Sequence, residues 1–580
     1  MSKHEGREAP AGEGGAPKGG AVRTALRSNF ERGSVRWAIR RAEWAAFGIS
    51  AEDQEKPKIA VVNSSSTLAA CFIHLDAIAA RLREQIRAAG AVPFEVRTVA
   101  PADFITSAGH RGGYILSSRD LIVNDIEAAV EGALLDGMIC LASCDKTVPG
   151  QLMAAARLDI PTIVVPCGYQ PSGTWRGEHV DIEDIWLRAA HRAQGKADWS
   201  EEDLREMSES AILGPGVCAG MGTANSMHIV TEALGMALPG TTPVLANSDK
   251  MWQAVAGAAP RIVEMVWEDL TPRRILTEDA FANAATAMLA VSGSINTIKH
   301  LQAIAVEARS GVDVYGLFER LADDVPLLAA VRPNGEHLIE QFEAAGGGAA
   351  LLKQLEPLLR SEALTVSGRT LGENLAAVQV ADEEVIRPLS RPYARRPSIV
   401  LVRGTLAPGS GIVKLAVADD RELAVRGPAH VFESAQEAIA AIRGGEVVAG
   451  EVVVLRGIGP RGTPGMGMAS DTVFALDGAG LLGACAVVTD GQQSGLSNRG
   501  LVVNEVSPEA AAGGPLGLVE NGDVIAIDIA RRAVDLEVAP EELEARRSRL
   551  AERAPNGEHG WLSIYARLVR PLPDGAVIVE

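Results

Sequence analysis

Between Lys58 and Pro166 the chain alternates short β-branched runs with amphipathic helical stretches, and this alternation narrows its fold more than any other feature. KIAVV, FEVRTV, GMICLAS and TIVVP are expected strands, and HLDAIAARLREQIRAAG, between the first two, is an expected helix. Strand and helix in repetition make a parallel sheet covered by helices. In such sheets ligand-binding groups collect in the loops at the carboxyl ends of the strands. Asn63–Cys71 follows the first run and Cys144-Asp145-Lys146 follows the third, so both fall where a site is expected.

Helical patterns such as TEALGMAL, RIVEMVWEDL and GAALLKQLEPLL dominate from Met221 to Leu359. Proline and arginine then cluster in VIRPLSRPYARRPS. Beyond this break IVLVRGT, GIVKLAV, EVVVLRG, CAVVTD, DVIAIDI and VDLEV make the chain β-rich, with few helices expected between them. The expected class is α/β. A disordered leader spans 1–25, a parallel-sheet α/β domain with added helices 26–384, a linker 385–398, and a smaller β-barrel-like domain 399–580. The opening MSKHEGREAPAGEGGAPKGG lacks the apolar core of a secretory signal.

With 580 residues, 47% of them hydrophobic, the chain can build more than one core. A net charge of -19 argues against nucleic acid or an anionic membrane as partner. No apolar run approaches the roughly 18–20 residues of a membrane span. Six cysteines are too few for a disulfide scaffold here, and together with the missing signal they point to the reducing cytoplasm.

Cys140 and Cys485 lie inside apolar strand runs and Cys167 just past one, so these three are expected in the core. Cys71, Cys144 and Cys218 instead sit among polar or glycine-rich neighbours. In GPGVCAGMGTANSM, closely spaced glycines let the backbone around Cys218 approach a bulky group. Thiolates hold iron–sulfur clusters, and a carboxylate such as Asp145 suits a hard divalent cation. Spacing alone does not decide between this and a bland alternative. There is no compact CxxC pair, and an Asp-Lys pair at a helix start is commonly a cap and a solvated charge.

CDKTVPGQLMAAARLDIPTIVV (Cys144–Val165) resembles the hallmark segment of the dihydroxy-acid and sugar-acid dehydratase family, and GPGVCAGMGTANSMHIVTEALGMALPG resembles its second signature. Further matches, among them NSSSTLAACFIHL, SAGHRGGYILSSRDLIVNDIE, RGTLAPGSGIVK, TDGQQSG and SPEAAAGGPLGLVENGD, run along nearly the whole chain. The resemblance implies a [2Fe–2S] or [4Fe–4S] cluster held by Cys71, Cys144 and Cys218, with one iron open to a small hydroxy-acid substrate. It also implies a Mg²⁺ held by Asp145, by Lys146 carboxylated with CO2, and by Asp103, whose segment carries one extra residue before His110. Ser494 matches the family's base. The implied reaction removes water from a 2,3-dihydroxy carboxylic acid, a dihydroxy acid or an aldonic sugar acid, giving an enol that tautomerises to the 2-keto acid. The implied assembly is a homodimer or homotetramer. His74 and His110 are candidates for contact with substrate or cluster, or for hydrogen bonding behind them.

The chain departs from the family pattern at several places. Met468 stands where a glutamate metal ligand is usual, and a thioether is too soft for Mg²⁺; water or Asp471 are the candidate replacements. Gln492 replaces a common arginine, and Ser65, Thr67 and Ala70 replace the usual Trp, Glu and Pro. The altered shell, with LRSNFERGSVRWAIRRAEWAAFGI, tilts the expectation toward a sugar acid or another hydroxy acid. The alternative is a non-catalytic iron–sulfur paralogue with a redox or iron-sensing role, favoured by Met468 and opposed by Lys146 and Ser494. A zinc hydrolase would need metal-type histidine spacing that the sequence lacks. Two glycine motifs are set aside: Gly457–Gly462 fits GxGxxG after a strand, but Thr463-Pro464-Gly465 stands where a helix must begin, and Gly478–Gly483 precedes its strand.

Overall fold

The computed structural model describes residues 25–109, 112–196, 199–415, 423–549 and 559–579. All but the last residue of the expected leader lies outside these, as does His110. The strands are β1 (Lys58–Asn63), β2 (Val92–Arg97), β3 (Gly137–Ala142), β4 (Thr162–Pro166), β5 (Gly173–Trp175), β6 (Glu178–Val180), β7 (Ile399–Val402), β8 (Ser410–Lys414), β9 (Ala424–Phe432), β10 (Val452–Leu455), β11 (Ala486–Thr489), β12 (Leu501–Ser507), β13 (Val524–Asp528) and β14 (Ala533–Leu536).

The first sheet has the order β2-β1-β3-β4, and every pairing is parallel. β1 and β3 are buried along their full lengths, as strands covered by helices on both faces must be. Helix Leu75–Ala88 buries Leu75, Ile78, Ala79, Leu82 and Ile86, the three-and-four spacing of one helical face. Helix Thr147–Leu158 is buried on all sides from Thr147 to Ala156, because the helices Gly113–Val130 and Asn296–Glu307 pack against it. The strand order turns back between β1 and β3. Their carboxyl ends therefore open a crevice at a topological switch point, and the loops of Cys71 and Cys144 leave from there.

The second sheet runs β14-β13-β9-β10-β11-β12-β8-β7. Its edges nearly meet, since Arg403 N donates to Arg532 O at 3.0 Å and Val534 N donates to Arg403 O at 2.9 Å. The result is the expected barrel-like domain, with one difference. Its centre, β9-β10-β11-β12, is parallel, so it needs crossovers, and helices Ala435–Gly444 and Ser470–Gly478 supply two of them. The expectation of few helices missed these.

The chain ends on the first domain. Helix Trp561–Leu568 buries Tyr565, which clusters with Leu116, Met466, Val569 and Leu572. The buried Arg119 guanidinium donates to the carbonyls of Gly575 and Ala576 at 2.9 and 2.7 Å. Among the described residues no helix is long and apolar enough to cross a membrane.

Candidate active site

A cavity of about 390 Å³ is lined by Cys71, Cys144 and Cys218, by Asp103 and Asp145, and by Met468, Gln492 and Ser494. Three loops bring the thiols together. Cys71 leaves β1, and its carbonyl accepts a hydrogen bond from the Ser143 hydroxyl just after β3. Cys144 precedes helix Thr147–Leu158 and accepts its first amides, Thr147 N at 3.2 Å and Val148 N at 3.3 Å. Cys218 lies on a loop tied to the Cys71 loop and to the segment after β4: Gly216 N donates to Ala70 O at 3.2 Å, and Gln170 N donates to Val217 O at 2.8 Å. Gly216 has φ +127°, and a Cβ there would run into the backbone of Tyr169 and Gln170. Only glycine permits that approach. Asn225 Nδ2 then donates to the Cys218 and Gly220 carbonyls at 2.9 and 2.8 Å.

The thiols act on one another. The hydrogen bond to Cys144 raises the Cys71 pKa, and burial and the charges of Cys144 and Cys218 add to this. Burial, followed by the charge of Cys144, raises that of Cys218. In this buried crevice Cys71 and Cys218 resist ionisation unless a cationic group shares them, which is the donor chemistry of an iron–sulfur cluster. The other three cysteines lie in the cores as expected: Cys140 and Cys167 are fully buried, and Cys485 is buried before β11.

Beside the thiols stand the oxygen donors. Lys146, 1% exposed, donates from Nζ to Asp103 Oδ2 at 2.7 Å. Asp103 Oδ1 is buried with no hydrogen-bond partner. The Asp145 carboxyl lies beside Asp103 and Thr223, and its pKa is pushed up to about 7, first by burial and then by the charge of Asp103. Burial alone would lower the Lys146 pKa, but Asp103 and Asp145 outweigh it and hold it above its ordinary value. Lys146 occupies the N-cap position without making a side-chain cap, so its ammonium is committed to the carboxylates. Two facing carboxyls and an unpartnered buried oxygen fit a hard divalent cation, more so if Lys146 is carboxylated to a third oxygen donor.

Ser494 reaches the cavity from the second domain. Its amide donates to Ser470 Oγ at 2.8 Å, and its own Oγ accepts from Leu496 N at 3.2 Å. The residues before it are pinned as well: Glu505 N donates to Gly491 O at 2.9 Å, Gln492 N to Gly467 O at 3.1 Å, and Gln493 N to Asn504 Oδ1 at 2.9 Å. A Cβ on Gly495 would lie 2.6 Å from Ser294 Oγ and 2.7 Å from Thr223 N. The serine loop thus presses directly on the helix that follows Cys218.

Other candidates stand apart. His74 turns its Nε2 to the Cys167 carbonyl at 2.8 Å and does not line the cavity. Asp471 lines it, but its Oδ1 accepts the indole N–H of Trp186 at 2.9 Å. Met468 pairs with Gln492 through a short parallel bridge. In Gly457–Gly462 the amides that would cradle a phosphate are taken by carboxylates: Gly457 and Ile458 donate to Asp490, and Arg461 and Gly462 to Glu509. Sequence reasoning missed Trp186, Asn296 and the buried Lys299–Glu505 pair at 2.6 Å. Lys299 set between the apolar positions Ile298 and Leu301 of INTIKHLQAIA was the available signal.

Residues 56–374 match the model described as Dihydroxy-acid/6-phosphogluconate dehydratase N-terminal, and residues 384–576 match the corresponding C-terminal model. The chain is 40% identical to a protein of Ignicoccus hospitalis named dihydroxy-acid dehydratase, across 93% of this chain and 98% of the relative. It is 39% identical to one of Methanothermobacter thermautotrophicus, across 95% and 100%, and 40% identical to one of Pyrococcus abyssi, across 96% and 100%, both with the same name. With both domains matched in order and relatives aligned from end to end, the chain belongs to the dihydroxy-acid/6-phosphogluconate dehydratase family.

Proposed function

We propose that this protein is a hydro-lyase that dehydrates a 2,3-dihydroxy carboxylic acid to a 2-keto acid, with an iron–sulfur cluster and Mg²⁺ as cofactors. The convergence of three cysteines, an Asp–Asp–Lys group and Ser494 on one cavity carries this reading. Cys71, Cys144 and Cys218 would hold the cluster, and Asp103, Asp145 and a carboxylated Lys146 the Mg²⁺. When bound, these groups supply Lewis acidity for the departing β-hydroxyl and for the substrate carboxylate. Ser494 takes the α-proton at Oγ. The amide of Leu496 already donates to that oxygen, which favours its anionic form. The C–H electrons form the enol double bond as the β-hydroxyl leaves; the proton now on Ser494 Oγ passes to it, so that water departs and the Oγ anion is restored, and the enol tautomerises to the ketone.

The names of the relatives and the apolar share of the cavity wall favour a dihydroxy acid over a sugar acid, against the tilt of the sequence. No lysine or arginine lines the cavity among the described residues. The same reading includes a cytoplasmic setting and self-assembly as a homodimer or homotetramer. Exposed apolar residues on helix Val35–Ala46 and just after it, such as Val35, Ile39 and Phe47, are in keeping with assembly.

The test uses anaerobically purified protein whose visible spectrum shows a cluster, assayed with Mg²⁺ for 2-keto acid formation from dihydroxy and aldonic acids. Turnover is expected, with Cys144→Ser losing both absorbance and activity. Ser494→Ala should keep the absorbance and lose activity by roughly 10²–10⁴-fold, the usual weight of a general base. A loaded protein that is inactive on every acid would defeat the dehydratase reading and leave the sensor.

A further inference from the structure

The apolar part of the cavity wall is organised around one side chain. Ile182 and Trp186 line the cavity four residues apart on one face of helix Ile182–Ala193. Phe104 and Ile105, directly after Asp103, line it too, as does Ile212. The Trp186 ring is held on two sides by edge-to-face contacts, with Phe104 at 5.4 Å and 90° and with Phe474 at 5.0 Å and 86°. Its indole N–H is fixed on Asp471 Oδ1 at 2.9 Å. Phe104 belongs to the first domain, whereas Phe474 and Asp471 belong to helix Ser470–Gly478 of the second.

A large ring held in one orientation by three partners is a rigid wall and cannot swing away from a ligand. Its only polar atom is already satisfied, so it offers a substrate no hydrogen bond. A tail rich in hydroxyls would lose water here and gain little, whereas an apolar tail gains by burial. Each methylene accepted or refused by such a wall changes kcat/KM by roughly 10–200-fold.

We propose that Trp186 is a specificity-determining residue that selects an apolar tail of limited length on the 2,3-dihydroxy acid. This rests on the dehydratase reading given above. Removing the ring opens space continuous with the cavity beside Phe104 and Ile182, where a longer tail fits. Enlarging Ile182 on the same helix face acts in the opposite direction.

The experiment measures kcat/KM of the cluster-loaded protein on 2,3-dihydroxy acids whose alkyl tails lengthen one methylene at a time, with an aldonic acid and a phosphorylated aldonic acid alongside. Wild type should prefer a short alkyl tail to either sugar acid. Trp186→Ala should move the ratio of long-tail to short-tail kcat/KM upward at least tenfold, and Ile182→Phe should move it downward. Because the readout is a ratio within one protein, a general loss of activity or partial unfolding does not mimic it. An unchanged ratio in both variants, or a wild-type preference for a sugar acid, overturns the role of Trp186 while turnover still upholds the dehydratase. Wild type inactive on every acid overturns both.

Discussion

Lys299 and Glu505 have side chains with no exposure at all, and they meet at 2.6 Å. Desolvation makes such a pair weak evidence for stability, so its place in the network is more telling. Lys299 Nζ also donates to Asn296 Oδ1 at 2.6 Å, and Asn296 Nδ2 donates to Gln493 O, one residue before Ser494, at 3.2 Å. Asn296 Nδ2 reaches Ser294 Oγ as well, which in turn meets Thr223 Oγ1, the neighbour of Asp145. The pair thus stands behind both the serine loop and the carboxylates. We expect Lys299→Met to cost about 3–5 kcal/mol in urea unfolding, because it strands Glu505 as a buried charge. Lys299→Met combined with Glu505→Leu should recover most of that stability, yet turnover should stay reduced because Asn296 is no longer anchored.

Two elements show how far the sequence could be read. The β1 and β3 runs were legible because strands buried on both faces leave unbroken apolar stretches. Their loops were legible as a site because parallel sheets put ligands there. β9 was not, since AVRGPAHVF carries a glycine and a proline inside the strand. The two missed crossover helices follow from the parallel centre, which no local pattern announces. The thiols were legible only through their surroundings and the family resemblance; that Gly216 ties the Cys218 loop to the Cys71 loop and to the segment after β4 depends on contacts far apart in sequence. The loop Gly457–Gly462 looked like a nucleotide motif and proved to be a backbone nest filled by Asp490 and Glu509. Burial, then the charge of Asp490, pushes Glu509 up to about 7 from an ordinary 4.5. A raised carboxyl pKa means that the folded state takes up a proton. The stabilisation from that proton is therefore complete below pH 4.5 and is lost as pH rises through about 7. Unfolding free energy measured across this window should fall with rising pH in wild type, and its slope should flatten in Glu509→Gln.

At the scale of the whole molecule, the site exists only where the two domains face each other. Helix Ile182–Ala193 packs on helix Ser470–Gly478, and Asp477 at the end of the latter accepts from His191 at 2.7 Å, Lys196 at 2.9 Å and Arg499 at 3.3 Å. In this latch the His191 and Lys196 contacts draw the second domain onto the first beside Trp186, while Arg499 braces Asp477 within the second. Asp477→Ala removes three charge-assisted contacts at a carboxylate that is 12% exposed, and should lower stability by about 1.5–3 kcal/mol. Because the three cysteines all belong to the first domain, visible absorbance of the loaded protein should survive this change, whereas kcat should fall as Ser494 loses its register. Equal loss of both would mean that the latch supports the first domain itself.

The split of the site between the domains also has a consequence in time. All three cavity thiols have been synthesised by Cys218, whereas Ser494 and the wall around it are still unmade. At roughly 5–20 residues per second, the stretch between them takes on the order of tens of seconds to synthesise. For that interval the three sulfurs lack their second wall in every newborn copy, however well the finished cavity shields them. The second-domain wall thus closes over the three sulfurs only once synthesis is nearly finished.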